Sequence, residues 1–152
     1  MNDPVGGRTL VELIEHGSPF ATTLGATHVS SSPGEVVVSA ATPALLNNHV
    51  GGPHAATLFG VGETAAAGVV VSVFEDLVRD GVVPLIKSAE IVYTAIALGP
   101  VTATATLAGD EAGVRASVAE RGVAVFPVDI SIATADGTET ARMHAQMALK
   151  RF

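Results

Sequence analysis

Glu63 is the only formally charged residue between Pro53 and Phe74, a stretch built mostly of Ala, Gly, Val, Thr, Leu and Phe. A carboxylate among such neighbours loses its hydration at a cost. Its pKa rises unless something nearby stabilises the charge. A group tuned in this way is a candidate general base or nucleophile. The competing reading is a structural glutamate at a dimer seam, hydrogen-bonded to a backbone amide. A second feature lies just before it, in Gly51-Gly52-Pro53-His54-Ala55-Ala56. Pro53 suits the first turn of a helix, where its missing N–H costs nothing. The first amides of a helix lack partners and carry positive partial charge, so they can bind an anion or a polarised carbonyl oxygen. Gly51, Gly52, Ala55 and Ala56 leave that approach open.

Spacing separates the two features. His54 and Glu63 are nine residues apart. On a helix that is about 13 Å and two and a half turns, which puts them on opposite faces. Within one chain they do not meet. In a two-fold dimer with helices side by side, Glu63 of one chain can face the helix N-terminus of the other.

Other chemistries find little support. Cysteine is absent, which excludes disulfides, thiolate metal sites and cysteine nucleophiles. No His/Asp/Glu spacing resembles a metal site. Ser18, Ser72 and Ser88 lack the Gly-x-Ser-x-Gly context of a nucleophile elbow. No phosphate-cradling loop is present. His16, His28 and His144 read as a helix-end residue and two strand residues.

The chain has 152 residues, a formal charge of −7 and 48% hydrophobic against 15% charged residues. One domain spanning residues 1–152 is expected, with a flexible start over 1–7. The acidity and the lack of Lys/Arg clusters disfavour nucleic acid. So few charges with so much apolar surface point to a homodimer or a homotetramer. No targeting segment stands out at the start, and a cytoplasmic location is expected. The apolar stretch from Pro53 to Phe74 is interrupted by His54 and Glu63. Its uninterrupted part, Ala65–Phe74, is ten residues, against the roughly 20 that spanning a bilayer requires. A buried helix, not a membrane span, is the reading.

The elements that must position these residues follow from periodicity. A short helix is expected over Thr9–Gly17, then a hairpin of Ala26–Ser31 and Glu35–Ala41 across Ser32-Pro33-Gly34. A long helix is expected from Pro53 to about Arg79, with Gly81 as its cap. Strands follow at Ala89–Leu98 and Val101–Leu107, and a helix over Asp110–Arg121. A final hairpin, Val123–Ala133 and Thr138–Leu149, closes across Asp136-Gly137. The fold class is α+β, with one long helix wrapped by a curved antiparallel sheet.

The pattern Asn48-x5-His54-Ala55-Ala56-x6-Glu63-Thr64-Ala65 resembles the Asn…His-Gly-Gly…Asp/Glu motif of hotdog-fold acyl-CoA thioesterases, nearest to the PaaI-type and 4-hydroxybenzoyl-CoA groups. The order of elements matches over nearly the whole chain, and Glu90–Tyr93 and Val101–Ala105 resemble the family's middle strands. The resemblance implies a thioester hydrolase in which Glu63 activates water or attacks the thioester. It implies that the Ala55 amide polarises the thioester carbonyl, that the Asn48 side chain positions the nucleophile or shapes the loop, and that His54 helps to order the loop as part of the same catalytic set. His49, Gly52, Ala56, Phe59 and Thr64 would contact the substrate. Coenzyme A would enter as part of an acyl-CoA substrate, with no separate cofactor. The Gly-Gly pair is Ala55-Ala56 here, which favours the alternative of a non-catalytic acyl-CoA-binding or structural hotdog protein. His49, fourteen residues before Glu63, also resembles the His/Glu spacing of hotdog acyl dehydratases. Its surroundings lack their Pro-Gly element. Lys87, Arg115 and Arg121 are the basic residues placed to meet coenzyme A, and each reads individually as a solvated surface charge.

Overall fold

The structure is a computed structural model and describes residues 9–152. The expected flexible start, 1–7, lies outside the described residues.

Each short N-terminal element carries its own capping chemistry. Helix α1 (Leu10–His16) begins with a capping box in which Thr9 and Glu12 satisfy each other's backbone amides. Helix α2 (Pro19–Leu24) follows at once, and periodicity gave no sign of it. Its signals are local: Ser18 accepts from the Ala21 amide, Pro19 fills the first turn, and Gly25 ends it at φ 67°. Strands β1 (Ala26–Ser32) and β2 (Glu35–Ala40) form the expected hairpin.

The central helix, α3, spans Ala55–Val73. It is shorter than the sequence suggests. The chain breaks at Phe74 and resumes as α4 (Glu75–Arg79). Arg115 explains the break. Its Nη2 donates to the Val73 carbonyl at 2.9 Å, and its guanidinium lies 5.3 Å from the Phe74 ring centre. A helix-ending carbonyl thereby gains a partner that is not the next turn. Phe74 itself is fully buried and packs on Phe126, with ring centres 5.4 Å apart.

Strands β3 (Val82–Tyr93) and β4 (Val101–Leu107) follow, then α5 (Glu111–Arg121), β5 (Val123–Thr134) and β6 (Glu139–Arg151). The expected strand over Ala89–Leu98 is displaced: β3 starts at Val82 and stops at Tyr93. Past Tyr93 the regular pairing ends: the amides of Thr94 and Ala95 both donate to the Thr140 carbonyl of β6, and Ala97–Leu98 lie against the loop before α3. The Ala97 carbonyl occupies the space beside Gly52, where a Cβ would sit 1.9 Å from it.

One antiparallel sheet has the order β1-β2-β4-β5-β6-β3. It curves around α3. On that helix Val61, Ala65, Ala66, Val69 and Val70 are completely covered. Glycines permit the close fit. A Cβ on Gly62 would meet Met143 Sδ at 2.9 Å, and one on Gly68 would meet Val36 Cγ1 at 3.1 Å. By length and composition α3 could cross a membrane, but most of it is buried in this core. β3 is an edge strand of twelve residues paired only with β6.

Phe74→Ala removes a buried ring at the point where α3, α4 and α5 meet. A loss of about 3–5 kcal/mol is expected, the scale for emptying such a site. Urea denaturation followed by circular dichroism measures it.

Candidate active site

The loop that leads into α3 is folded by Asn48. Its Oδ1 accepts from the amides of Val50 at 3.0 Å and Gly52 at 3.3 Å, and its Nδ2 donates to the Pro53 carbonyl at 3.3 Å. The Asn48 amide donates to the Gly52 carbonyl at 2.8 Å, and Gly51 turns the chain at φ 83°. The side chain of Asn48 is thus spent on shaping the loop, as the resemblance implied for one of its roles. His49 is exposed in the same turn and does not line the cavity beside Glu63. The His49/Glu63 pair of the dehydratase alternative is not brought together within the protomer.

His54 is the N-cap of α3. Its Nδ1 accepts from the Ala56 amide at 3.0 Å. The amides of Thr57 and Leu58 donate to the His54 carbonyl. Among the described residues the Ala55 amide has no acceptor, and Ala55 is exposed. One polarised N–H therefore stands available at the positive end of a nineteen-residue helix. Tyr93, the only tyrosine in the chain, donates its hydroxyl to the Ala55 carbonyl at 2.9 Å. It ties the end of β3 to the first turn of α3. Sequence reading missed this role, although a lone Tyr at a strand end was visible.

Glu63 lies two turns further along. It is half-buried, and among the described residues its carboxylate makes no hydrogen bond and no ion pair. Burial holds its pKa above the usual carboxylate range. It opens on a cavity of about 340 Å³ between α3 and the α1–α2 pair. Thr64 lines the same cavity, with its hydroxyl donating to the Gly60 carbonyl at 2.8 Å. Phe59 does not line it. Phe59, Glu63 and Ala67 instead form one half-buried stripe at i, i+4, i+8, the side of the middle of α3 that its own protomer leaves unsealed. Ala55 and Glu63 are about 12 Å apart along the helix, so no single acyl carbonyl reaches both within one protomer. Gly52 and Ala56 stay with the Ala55 end of the helix.

The basic residues divide. Arg115 is committed to Asp76, Glu111 and the Val73 carbonyl, and its guanidinium holds the Asp76 carboxyl below the usual range. Arg121 donates to Ser117 Oγ. Lys87 is exposed at the β-bulge of β3 and, among the described residues, has no ion pair. No group of three or more His, Asp or Glu able to hold a metal occurs among the described residues.

The domain-of-unknown-function family DUF4442 matches residues 6–149. The chain belongs to that family. Its fold is the hotdog fold of PaaI-like thioesterases. A protein of unknown function from Pseudomonas aeruginosa, described as a probable thioesterase, superposes with a TM-score of 0.77 at 21% identity, covering 94% of each chain. A thioesterase family protein from Silicibacter pomeroyi gives 0.73 at 17% identity, over 95% of this chain and 100% of that one. The PaaI protein of the E. coli phenylacetic acid degradation operon gives 0.64 at 19% identity, over 87% of each. No curated protein matches the sequence.

The raised pKa of Glu63 has a consequence for stability. A carboxyl whose folded pKa lies above its unfolded value favours folding at low pH, and that advantage is lost as the group ionises. Glu63→Gln is expected to melt at a higher temperature than wild type at pH 7–8, with the gap closing toward pH 4. Thermal melts across that range check the sign.

Proposed function

We propose that this protein is an acyl-CoA thioesterase that works as a homodimer, with each site shared between two chains. The observation that carries the reading is Glu63: an unpaired, desolvated carboxylate on the central helix of a hotdog fold, at the mouth of an apolar cavity. The descriptions of similar structures as thioesterases support the same class.

In this reading Glu63, ionised, takes a proton from water. The water oxygen bonds to the thioester carbonyl carbon, and the carbonyl oxygen gathers negative charge. The Ala55 amide of the second chain, at the positive end of its helix, stabilises that charge. The carbonyl re-forms as the C–S bond breaks, the acid is released, and the coenzyme A thiolate leaves with the proton held by Glu63, which restores the carboxylate. Asn48 and His54 act by shaping the loop and fixing the helix start. Coenzyme A is substrate, and no further cofactor is required. Lys87 is the exposed cation available for its phosphates.

The dimer follows from surfaces that a single chain leaves unfinished. β3 is a long edge strand that exposes Leu85, Val92 and Tyr93. Long unprotected edges invite pairing with another strand. Pairing β3 with its symmetry mate continues the sheet and turns the Phe59–Glu63–Ala67 stripe toward the second helix. A tetramer would stack two such dimers. The cytoplasm, where acyl-CoA is made and used, is the location that fits.

A second reading is an acyl-CoA-binding protein without turnover. Ala55 and Ala56 favour it, because their Cβ atoms narrow the approach to the free amide and the Ala56 amide is already taken by His54.

Thiol release from a panel of acyl-CoAs separates the two. The chain has no cysteine, so it adds no background to a disulfide reagent. Wild type is expected to turn over, and Glu63→Gln to lose about 100-fold or more, the scale of a missing general base. Activity should rise with pH through a midpoint above the usual carboxylate range, because the ionised form is the base. Binding without hydrolysis across the panel would establish the second reading.

A further inference from the structure

We propose that the cavity beside Glu63 seats an unbranched aliphatic acyl chain within a single protomer, and that Leu10 and Val71 set the length it accepts. The inference rests on the thioesterase reading for its substrate class and adds the identity of the acyl group.

The wall chemistry is the first argument. Leu13, Ile14, Ala21, Ala67, Val71 and Val78 line the cavity, and among the described residues that line it there is no aromatic ring and no cation. Its polar side chains are Glu63, Ser18 and Thr64. The hydroxyl of Ser18 accepts from the Ala21 amide, and that of Thr64 donates to the Gly60 carbonyl. A hydroxylated or charged acyl group would lose its hydration there and find few partners in return. A hydrocarbon loses nothing.

Shape is the second. The lining residues of α3 run from Glu63 to Val71, eight residues or about 12 Å along the helix. With C–C bonds of about 1.5 Å, an extended chain of roughly eight to ten carbons covers that distance. A single aromatic ring would fill the mouth and leave the inner end empty, forfeiting its contacts.

The far end supplies the third. A separate cavity of about 670 Å³ lies beyond, lined by Ser31, Ser32, Thr106, Glu75 and Glu111 among others. Leu10 and Val71 line both cavities. These two side chains form the partition between them. A chain longer than the first cavity runs into this partition.

Two variants push in opposite directions. Ala67 is half-buried and lines the cavity, so Ala67→Leu fills the slot part-way down. Val71→Ala thins the partition. Hydrolysis of acetyl-, butanoyl-, octanoyl-, dodecanoyl- and phenylacetyl-CoA gives kcat/KM for each protein. Wild type is expected to prefer octanoyl-CoA. Ala67→Leu should lower the octanoyl-to-butanoyl ratio by about 10-fold or more, the scale of pocket discrimination over methylenes. Val71→Ala should move the optimum toward dodecanoyl-CoA. A wild-type preference for phenylacetyl-CoA overturns the proposal. So does a chain-length profile that neither variant moves while both melt as cooperatively as wild type. Calorimetric binding of the thioethers S-octyl- and S-ethyl-coenzyme A keeps the test independent of turnover. If no thioester is hydrolysed, catalysis fails, yet tighter S-octyl binding that Ala67→Leu abolishes still supports the seat. Equal affinity for the two thioethers in wild type removes it.

Discussion

Covering α3 is the constraint on which the rest of this molecule depends. A helix of Ala, Gly and Val has little to gain in water and much to gain from burial, since its β-branched residues are poor helix formers when exposed. The sheet can wrap it only if backbones approach closely, and Gly62 and Gly68 provide that approach against Met143 and Val36. Every charged side chain is excluded from such a surface, with the exception of Glu63. Its position on the unsealed stripe is what makes the exception tolerable: the carboxylate is half-buried, desolvated and unpaired, but not entombed. The reactivity attributed to it and the penalty it imposes have one physical origin.

The same helix imposes a separation. Ala55 and Glu63 sit on one rigid element, and a rigid element cannot bend its two useful groups together. In the thioesterase reading, a free amide at one end and an unpaired carboxylate in the middle would each be half of a site. In the proposed dimer symmetry would resolve this where flexibility cannot, because a two-fold axis would bring the end of one helix to the middle of another. The unpaired β3 edge and the Phe59–Glu63–Ala67 stripe lie on surfaces that such an axis would cover. The hydrogen bond from Tyr93 to the Ala55 carbonyl links the edge strand to the helix start, so that a contact made at β3 also fixes where the amide points.

Much of this was legible in the sequence, for reasons that differ between elements. β4 was read with its observed bounds and β2, β5, β6 and α5 to within a few residues, because alternation and end signals agree there: Asp110 caps α5, Gly122 ends it, and Asp136-Gly137 turns the last hairpin. Glu63 and the helix start stood out because each contrasts with its neighbours. The failures came where the deciding contact is distant in sequence. Nothing local announces that Arg115 will take the Val73 carbonyl and stop α3 six residues short of Arg79, since apolar periodicity continues through Phe74. Likewise Thr94–Leu98 looks like strand, but the amides of Thr94 and Ala95 converge on the one Thr140 carbonyl and the Ala97 carbonyl packs on Gly52, so regular pairing stops at Tyr93. Helix α2 was missed for the opposite reason: six residues are too few for a period to show, although Ser18, Pro19 and Gly25 bracket it.

The division of labour along α3 also explains why Asn48 and His54 look catalytic in the sequence without touching Glu63 here. Asn48 uses both ends of its amide to close the loop, and His54 spends Nδ1 on the Ala56 N–H. Each satisfies groups that would otherwise compete for a substrate oxygen. With the Ala56 amide engaged, and those of Thr57 and Leu58 on the His54 carbonyl, the positive end of the helix is focused on one donor. An amide left free in an open first turn would be solvated from several directions; one left free beside a loop pinned by Gly52 and Tyr93 has a fixed orientation. Fixed donors lose nothing to reorganisation when charge develops. In the thioesterase reading, the residues that surround the Ala55 amide would matter to chemistry through what they keep still.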